Sequence, residues 1–196
     1  GSEFNFSWSM EGSGTDFAIA SMAKYLRDKA ELGSEAWQKY NDEYLYFTAR
    51  ATNYVHLFNE SMGGWFRAKK SDGTWLQTDE QFDPTAQGYG YCEDNAYNYA
   101  FPPYDGQGLA NLYGMARDKD GRTALGDKLD EAYSAVGTAN PGSWTGHKEN
   151  WEGRDAKQGQ IHMTNQPAHH IPYMYLYTDR PWKTAEFVRD TLYRLF

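Results

Sequence analysis

Between residues 37 and 58, aromatic and apolar side chains recur at alternating spacings of three and four: Trp37, Tyr40, Tyr44, Phe47, Ala51, Tyr54 with Val55, and Phe58. A stripe of this period, held for about six turns, fits an α-helix with one buried face and no strand. A second stripe precedes it, with Ile19, Met22, Ala23, Leu26 and Ala30 behind Thr15 or Asp16 as the cap. Gly33-Ser34 between them ends one helix and caps the next. The spacing therefore predicts an antiparallel helical hairpin, with residues 1–14 as a polar N-terminal loop. Its first four residues, Gly1-Ser2-Glu3-Phe4, read as a cloning scar.

Beyond Gly63-Gly64 the period changes. Trp65-Phe66-Arg67-Ala68 and Thr74-Trp75-Leu76 flank Asp72-Gly73, a turn signal, and read as a small β-hairpin. Residues 78–114 are rich in Gly, Pro, Asn, Asp and Tyr and have little periodicity. A short helix is expected from Asp94 to Phe101, stopped by Pro102-Pro103. Thr123 caps a helix carrying Leu125, Leu129 and Ala132. After a Gly-rich loop over 137–160, Asn165 or Gln166 caps another, with Pro167 in its first turn and Pro172 as a kink. A last helix starts at Pro181 with Ala185, Val188, Leu192 and Leu195 on one face. Helix pairs joined by long loops are the pattern of an (α/α) barrel or toroid. The fold class expected is mainly α, a partial (α/α)6 barrel with long loops and one β-hairpin, in a single domain over 15–196. The helices are too few to close a toroid, so the chain is expected to be a segment of one.

The charge excludes some classes of partner. Net charge is −8 and the longest basic run is Lys69-Lys70, which argues against nucleic acid. Mean hydropathy is −0.85, and no stretch approaches the ~18 apolar residues of a membrane span. A single cysteine, Cys92, gives no internal disulfide framework. There are 16 Tyr and 7 Trp, side chains with an apolar face and a polar tip that suit sugars as well as a core.

Three constellations could carry chemistry. Gly88-Tyr89-Gly90-Tyr91-Cys92-Glu93-Asp94-Asn95-Ala96-Tyr97-Asn98-Tyr99 sets adjacent carboxylates among aromatic rings. Desolvation raises a carboxyl pKa and suits a general acid; the same pair could equally cap a short helix. His162-Met163-Thr164-Asn165-Gln166-Pro167-Ala168-His169-His170 gathers imidazoles and amides. His169 and His170 are adjacent rather than one turn apart, which argues against a zinc pair on one helix face and for polar recognition at a helix start. Asp105, in Pro103-Tyr104-Asp105-Gly106, either orients a substrate hydroxyl or closes a turn. No phosphate-binding loop follows a strand, and no G-x-S-x-G elbow occurs.

In this order, these stretches resemble glycoside hydrolase family 92. Gly90-Tyr91-Cys92-Glu93-Asp94-Asn95 through Tyr99 is similar to its glycine-aromatic-x-Glu-x-Asn-x-x-x-Tyr segment. Pro103-Tyr104-Asp105 with Gly108-Leu109 is similar to its Pro-His-Asp and Gly-Leu, and Thr164-Asn165-Gln166-Pro167-Ala168-His169-His170 to its Gly-Asn-Glu-Pro-x-His-His. Pro181-Trp182-Lys183-Thr184, Asp16-Phe17-Ala18-Ile19-Ala20 and Arg50-Ala51-Thr52-Asn53-Tyr54 match as well.

The resemblance implies a secreted or cell-surface, Ca2+-dependent exo-α-mannosidase that acts with inversion on terminal mannose of N-glycan-type mannosides. By motif position Glu93 is the general acid. Gln166, Asn165, Tyr104, Asp105, Tyr97, His169 and His170 line the substrate, and Asn165 is a candidate Ca2+ ligand. The family's general base lies in a Gly-Asn-Asp motif after the last helix here, and its N-terminal β-sandwich precedes this segment. The base is thus expected outside the chain, and the β-sandwich and the C-terminal part of the barrel are expected partners. Two positions depart from the pattern: Gln166 stands for Glu and Tyr104 for His. Glu to Gln keeps shape and removes a charge, which would admit mannose held through a phosphodiester. The alternatives are a non-catalytic carbohydrate-binding module and an (α/α)-toroid glycosidase of other sugar specificity.

Overall fold

Ser34 accepts from the Trp37 amide at 3.1 Å and starts α2 (Glu35–Ala51), while Gly33 takes the left-handed turn (φ 82°) that ends the segment before it. A computed structural model describes residues 5–92, 94–136, 158–163 and 165–195. They form a mainly helical fold with one small antiparallel sheet. They divide into two units, Trp8–Leu57 and a second made of the chain up to Ser7 together with Phe58 onward.

In the first unit, α1 (Asn5–Lys29) and α2 run antiparallel. Arg50 on the last turn of α2 pairs with Asp16 on α1 at 3.0 Å, and Arg27 bonds Asn41 at 3.3 Å. The helical hairpin is as expected, with three differences. The helix begins at Asn5, so the stretch expected as loop is helical from there on. Ser13, expected in the loop, and Thr15, expected as the cap, donate their hydroxyls to the Ser9 and Glu11 carbonyls of the same helix. The inner stripe is made of Ser13, Asp16, Ala20 and Ala23, whereas Ile19 and Met22 are exposed. Finally, α2 ends at Ala51 and the chain tightens into a 3-10 helix, Thr52–Leu57. The Thr52 hydroxyl donates to the Ala49 carbonyl at 2.8 Å there. The stripe holds except at Val55, which is exposed: Trp37, Tyr40, Tyr44 and Phe47 are half-buried, and Ala51, Tyr54 and Phe58 are buried.

In the second unit, β1 (Phe58–Asn59) pairs with β2 (Trp65–Phe66). The hairpin expected around Asp72-Gly73 is present as a turn, with Lys69 bridging Trp75 and Leu76 donating to the Ala68 carbonyl. The partner of Trp65–Phe66 is nevertheless the upstream strand. Buried Arg67 fixes the turn's base through Asp79 and the Gln77 carbonyl, both at 2.6 Å. A helix that periodicity does not announce, α3 (Gly106–Arg117), follows, capped by Asp105. It is joined to α4 (Gly121–Ser134) by a tight connection with Asp118 left-handed at φ 49°. The cap of α4 is Asp120 rather than Thr123. A Cβ on Gly121 would lie 2.7 Å from the Ala110 carbonyl oxygen, so glycine lets the two helices meet at the turn. Leu109, Ala110 and Tyr113 pack with Ala124, Leu125, Leu129 and Ala132, all fully buried.

The single kinked helix expected after 165 is two 3-10 helices, Gln166–Ala168 and Ile171–Tyr177. α5 (Lys183–Leu195) closes the unit, with Phe187 stacked on Tyr133 at 3.8 Å. Asp130 on α4 ties these pieces together. It takes Tyr175 at 2.7 Å, Arg180 at 2.7 Å and Lys183 at 2.6 Å. Burial works to raise this carboxyl, but its bonds to Lys183, Tyr175 and Arg180 outweigh it and hold its pKa low. Because these pairs are partly exposed, Asp130→Asn is expected to cost about 1 kcal/mol in urea unfolding at pH 7. An unchanged midpoint would show that the network is decorative. The carboxyl pKa is depressed in the fold, so this contribution is present above the unfolded value and fades as pH falls through the folded one.

Under α3 and α4 lies a buried cation. The Lys128 side chain is fully buried, 3.2 Å from Glu131 and over the Trp65 ring, with Tyr97 and Tyr113 beside it. Desolvation, with help from Arg117 and against the opposite pull of Glu131, lowers the Lys128 pKa to about 7. Burial works to raise the Glu131 carboxyl; Lys128 and Arg117 outweigh it and hold it below its ordinary value. No helix among the described residues is long and apolar enough to cross a membrane.

Candidate active site

The backbone of the acidic loop is unusual before any side chain is considered. Gly88, Tyr89, Gly90 and Cys92 all have φ between 54° and 95°. Two of the four carry side chains that pay a steric penalty in that region. The chain folds here as consecutive tight turns, Tyr91 donating to the Gly88 carbonyl and Asp94 to that of Tyr91. Gly90 lies against Phe6, where a Cβ would come within 2.8 Å of the Phe6 Cβ. Glu93 lies outside the described residues. The helix expected over 94–101 is a series of turns. Asn95 Oδ1 accepts from the Tyr97 amide at 3.0 Å, and such Asx bonds compete with helical ones.

The segment from Gln158 docks on the C-terminal end of α4, where carbonyls lack intrahelical donors. Gln160 donates its amide to the Ala132 carbonyl at 2.9 Å. Gly159 is left-handed (φ 57°), and a Cβ there would lie 2.4 Å from the same carbonyl oxygen. Gln158 and Gln160 are buried.

These two segments join through polar side chains that have almost no access to water. Asn95 is fully buried, and its Nδ2 donates to Gln160 Oε1 at 2.8 Å. Asn98 Nδ2 donates to the Gln160 carbonyl at 3.0 Å, and its Oδ1 accepts from the His162 amide at 2.9 Å. At the end of this ladder, Asp94 (2 % exposed) takes His162 Nδ1 on one oxygen at 2.8 Å and Asn165 Nδ2 on the other at 3.0 Å. A carboxylate only accepts, so His162 carries its proton on Nδ1 and Asn165 turns its NH2 inward.

The residues singled out in the sequence are distributed around this ladder. Asn165 is half-buried at the start of Gln166–Ala168, and Gln166 is exposed. His169 is exposed and bonds the Met163 carbonyl at 3.0 Å. His170 bonds the Phe101 carbonyl at 2.5 Å; burial lowers its pKa, against the raising pull of its bonds to the Phe101 and Pro167 carbonyls. Tyr104 and Asp105 are half-buried at the head of α3, and Asp105 accepts from the Gly108 amide at 2.9 Å. Tyr97 points elsewhere, its hydroxyl donating to Glu131 at 3.1 Å in the Lys128 cluster. Sequence reasoning gave no role to Asn98 or Gln160, and read Asp94 only with Glu93, as an acidic pair or a helix cap. The available signal was polar residues in a run dense with aromatics, which marks side chains that must satisfy one another.

Chemically, the described part offers amide and imidazole groups around one buried carboxylate, an environment suited to hydroxyl-rich ligands. Among the described residues no group of three or more His, Cys, Asp or Glu side chains is arranged to hold a metal. Both oxygens of Asp94 already carry hydrogen-bond donors, from His162 and Asn165. Ca2+ takes about six to eight oxygens, usually several of them from carboxylates, and no such cluster exists among the described residues, which do not by themselves fit that ion. Among known families, the model described as the glycosyl hydrolase family 92 catalytic domain matches residues 1–196. No individually curated protein matches the chain.

Proposed function

Because the chain belongs to glycosyl hydrolase family 92, whose members are glycoside hydrolases, we propose that it acts as an exo-α-mannosidase, removing terminal mannose from N-glycan-type mannosides with inversion. One observation carries the reading beyond the family match. The two segments with the most specific resemblance, 88–99 and 162–170, lie far apart in sequence and meet directly at Asp94 and Asn165. Inversion needs an acid on the leaving oxygen and a base on a water about 6.5–9.5 Å away. Glu93 takes the acid role by motif position. Among the described residues Asp94, Asp105 and Glu131 are committed to His162 and Asn165, to the Gly108 amide, and to Arg117 and Lys128, and none is assigned the base. Asn165, Gln166, Tyr104, Asp105, Tyr97, His169 and His170 remain the substrate-side candidates. Ca2+ would contact hydroxyls of the terminal mannose, with Asn165 as one ligand in a set drawn from beyond the described residues. A secreted or cell-surface location accords with such a substrate.

Gln166 refines the substrate. It is exposed and neutral where the family usually carries Glu, which favours an anionic aglycone such as mannose-1-phospho-6-mannose. Mannose release by the full-length protein, from α-1,2-mannobiose and from mannose-phospho-mannose with Ca2+ or chelator, tests both levels. Release that chelator abolishes is expected. No release with sugar binding intact would favour the binding-module alternative, and activity on glucosides or rhamnosides instead would favour another toroid glycosidase. Gln166→Glu is expected to lower kcat/KM about tenfold on the phosphodiester alone, through like-charge repulsion. Equal effects on both substrates would remove the phosphodiester refinement.

A further inference from the structure

We infer that Asp94 is a positioning residue that fixes which end of the Asn165 amide faces the substrate, and so makes Asn165 an acceptor for a sugar hydroxyl. Position 94 is one of the unspecified positions of the motif that carries the resemblance, and no role follows for it from the family reading. The inference rests on the Proposed function for its substrate, but its geometry is independent of that.

An asparagine amide is nearly symmetric in shape and opposite in chemistry at its two ends. Which end faces outward depends on the inner partner. Here that partner is Asp94 Oδ2, 3.0 Å from Asn165 Nδ2. A carboxylate has no proton to give, so it accepts the NH2 and turns the Asn165 oxygen away. Asp94 cannot swing aside, because its other oxygen is held by His162 Nδ1 at 2.8 Å, its amide donates to the Tyr91 carbonyl, and it is 2 % exposed. His162 is held in turn by Asn98 Oδ1 on its backbone amide at 2.9 Å. Asn165 is half-buried at the N-terminal end of Gln166–Ala168, and its side chain makes no N-cap bond to that short helix. The outward oxygen is therefore not consumed as a cap. It meets a hydroxyl as acceptor, whereas an outward NH2 would meet the same hydroxyl as donor and disfavour a sugar whose proton already points inward.

The test exchanges the two groups. Asp94→Asn keeps volume but offers its own NH2, so the Asn165 amide turns over. With α-1,2-mannobiose at saturating Ca2+, the full-length variant is expected to raise KM about tenfold with kcat within about threefold. The double variant Asp94→Asn with Asn165→Asp restores an inward donor–acceptor pair and an outward oxygen, and is expected to recover most of the loss. A purely structural role would lower the unfolding midpoint of Asp94→Asn without changing KM, or would leave the double variant as impaired as the single one; either overturns the inference. Should the parent release no sugar from any glycoside, the Proposed function fails while the orientation stays measurable. The Asn165 side-chain NH2 pair, identified in the 15N–1H spectrum by its loss in Asn165→Asp, is expected to exchange slowly in the parent and fast in Asp94→Asn. An identical pair in both would refute the inference.

Discussion

In the full-length protein, Glu93→Gln is expected to lower kcat on α-1,2-mannobiose by about 10²–10⁴-fold, the usual worth of a general acid, while sugar affinity stays within about twofold. Glutamine keeps the shape and hydrogen-bonding reach of the side chain but has no acidic proton for the leaving oxygen. The loss depends on the leaving group. An aryl mannoside whose phenolate departs without protonation should recover most of the rate, and an alkyl mannoside should recover none. Glu93 sits between left-handed Cys92 and buried Asp94, so the backbone on either side of it is closely specified. Misplacement of a reacting group by about 1 Å can itself cost on the order of 10²-fold, so the variant's unfolding midpoint has to match the parent's before the rate is read. Turnover within tenfold of the parent on both substrate types would remove Glu93 as the acid. Unchanged sugar binding in a protein that never turned over would point to the binding-module alternative.

Lys128→Met is expected to stabilise the protein by about 2 kcal/mol near pH 7 and to flatten its pH dependence. The lysine pKa is about 7 in the fold against about 10.4 in the unfolded chain. Between those values the unfolded chain binds the extra proton, so stability rises with pH across that window; below about 7 the lysine is charged in both states and the burial penalty is fully present. Methionine fills much of the same volume among Trp65, Tyr97 and Tyr113 and requires no ion in that space. Removing one member of a buried pair usually strands the other. Glu131, however, keeps Arg117 at 2.5 Å and the Tyr97 hydroxyl at 3.1 Å. Urea unfolding at pH 6, 7, 8 and 9 checks both parts, with m unchanged so that the midpoint reads stability. A variant less stable than the parent at every pH would mean that the ammonium is a net contributor, held by the Trp65 face and Glu131 together.

Much of the helical architecture was legible because packing imposes a period on the sequence. The stripe from Trp37 to Phe58 reports burial even where the helix gives way to a 3-10 turn, except that the tighter turn buries Tyr54 and leaves Val55 exposed. α3 was not legible for a complementary reason. Its buried face uses Gly106, Leu109, Ala110, Tyr113 and Gly114, and small residues that let helices approach closely look like loop in a hydrophobic pattern. Asp105 was read as either a turn or a substrate contact; it caps that helix. The start of α1 was missed because its serines and threonine bond their own helix. In the candidate site, the motif residues could be found by resemblance, but the buried ladder that connects them could not. Asn95, Asn98, Gln160 and His162 are neutral or short-range signals in a sequence, and their meaning lies in pairings across more than sixty positions.

Those pairings have a consequence for the order in which the molecule assembles. The segments joined by Asp94 and His162 flank α3 and α4 in the chain, and the two helices meet across a tight connection. Local contacts of that kind form early, because little chain entropy is lost in closing them. Once α3 and α4 have folded back on themselves, the ends that carry Asp94 and His162 are brought nearer, and α4 offers its exposed terminal carbonyls as the landing point for Gln160. Closing the ladder onto that scaffold then carries a modest entropic cost.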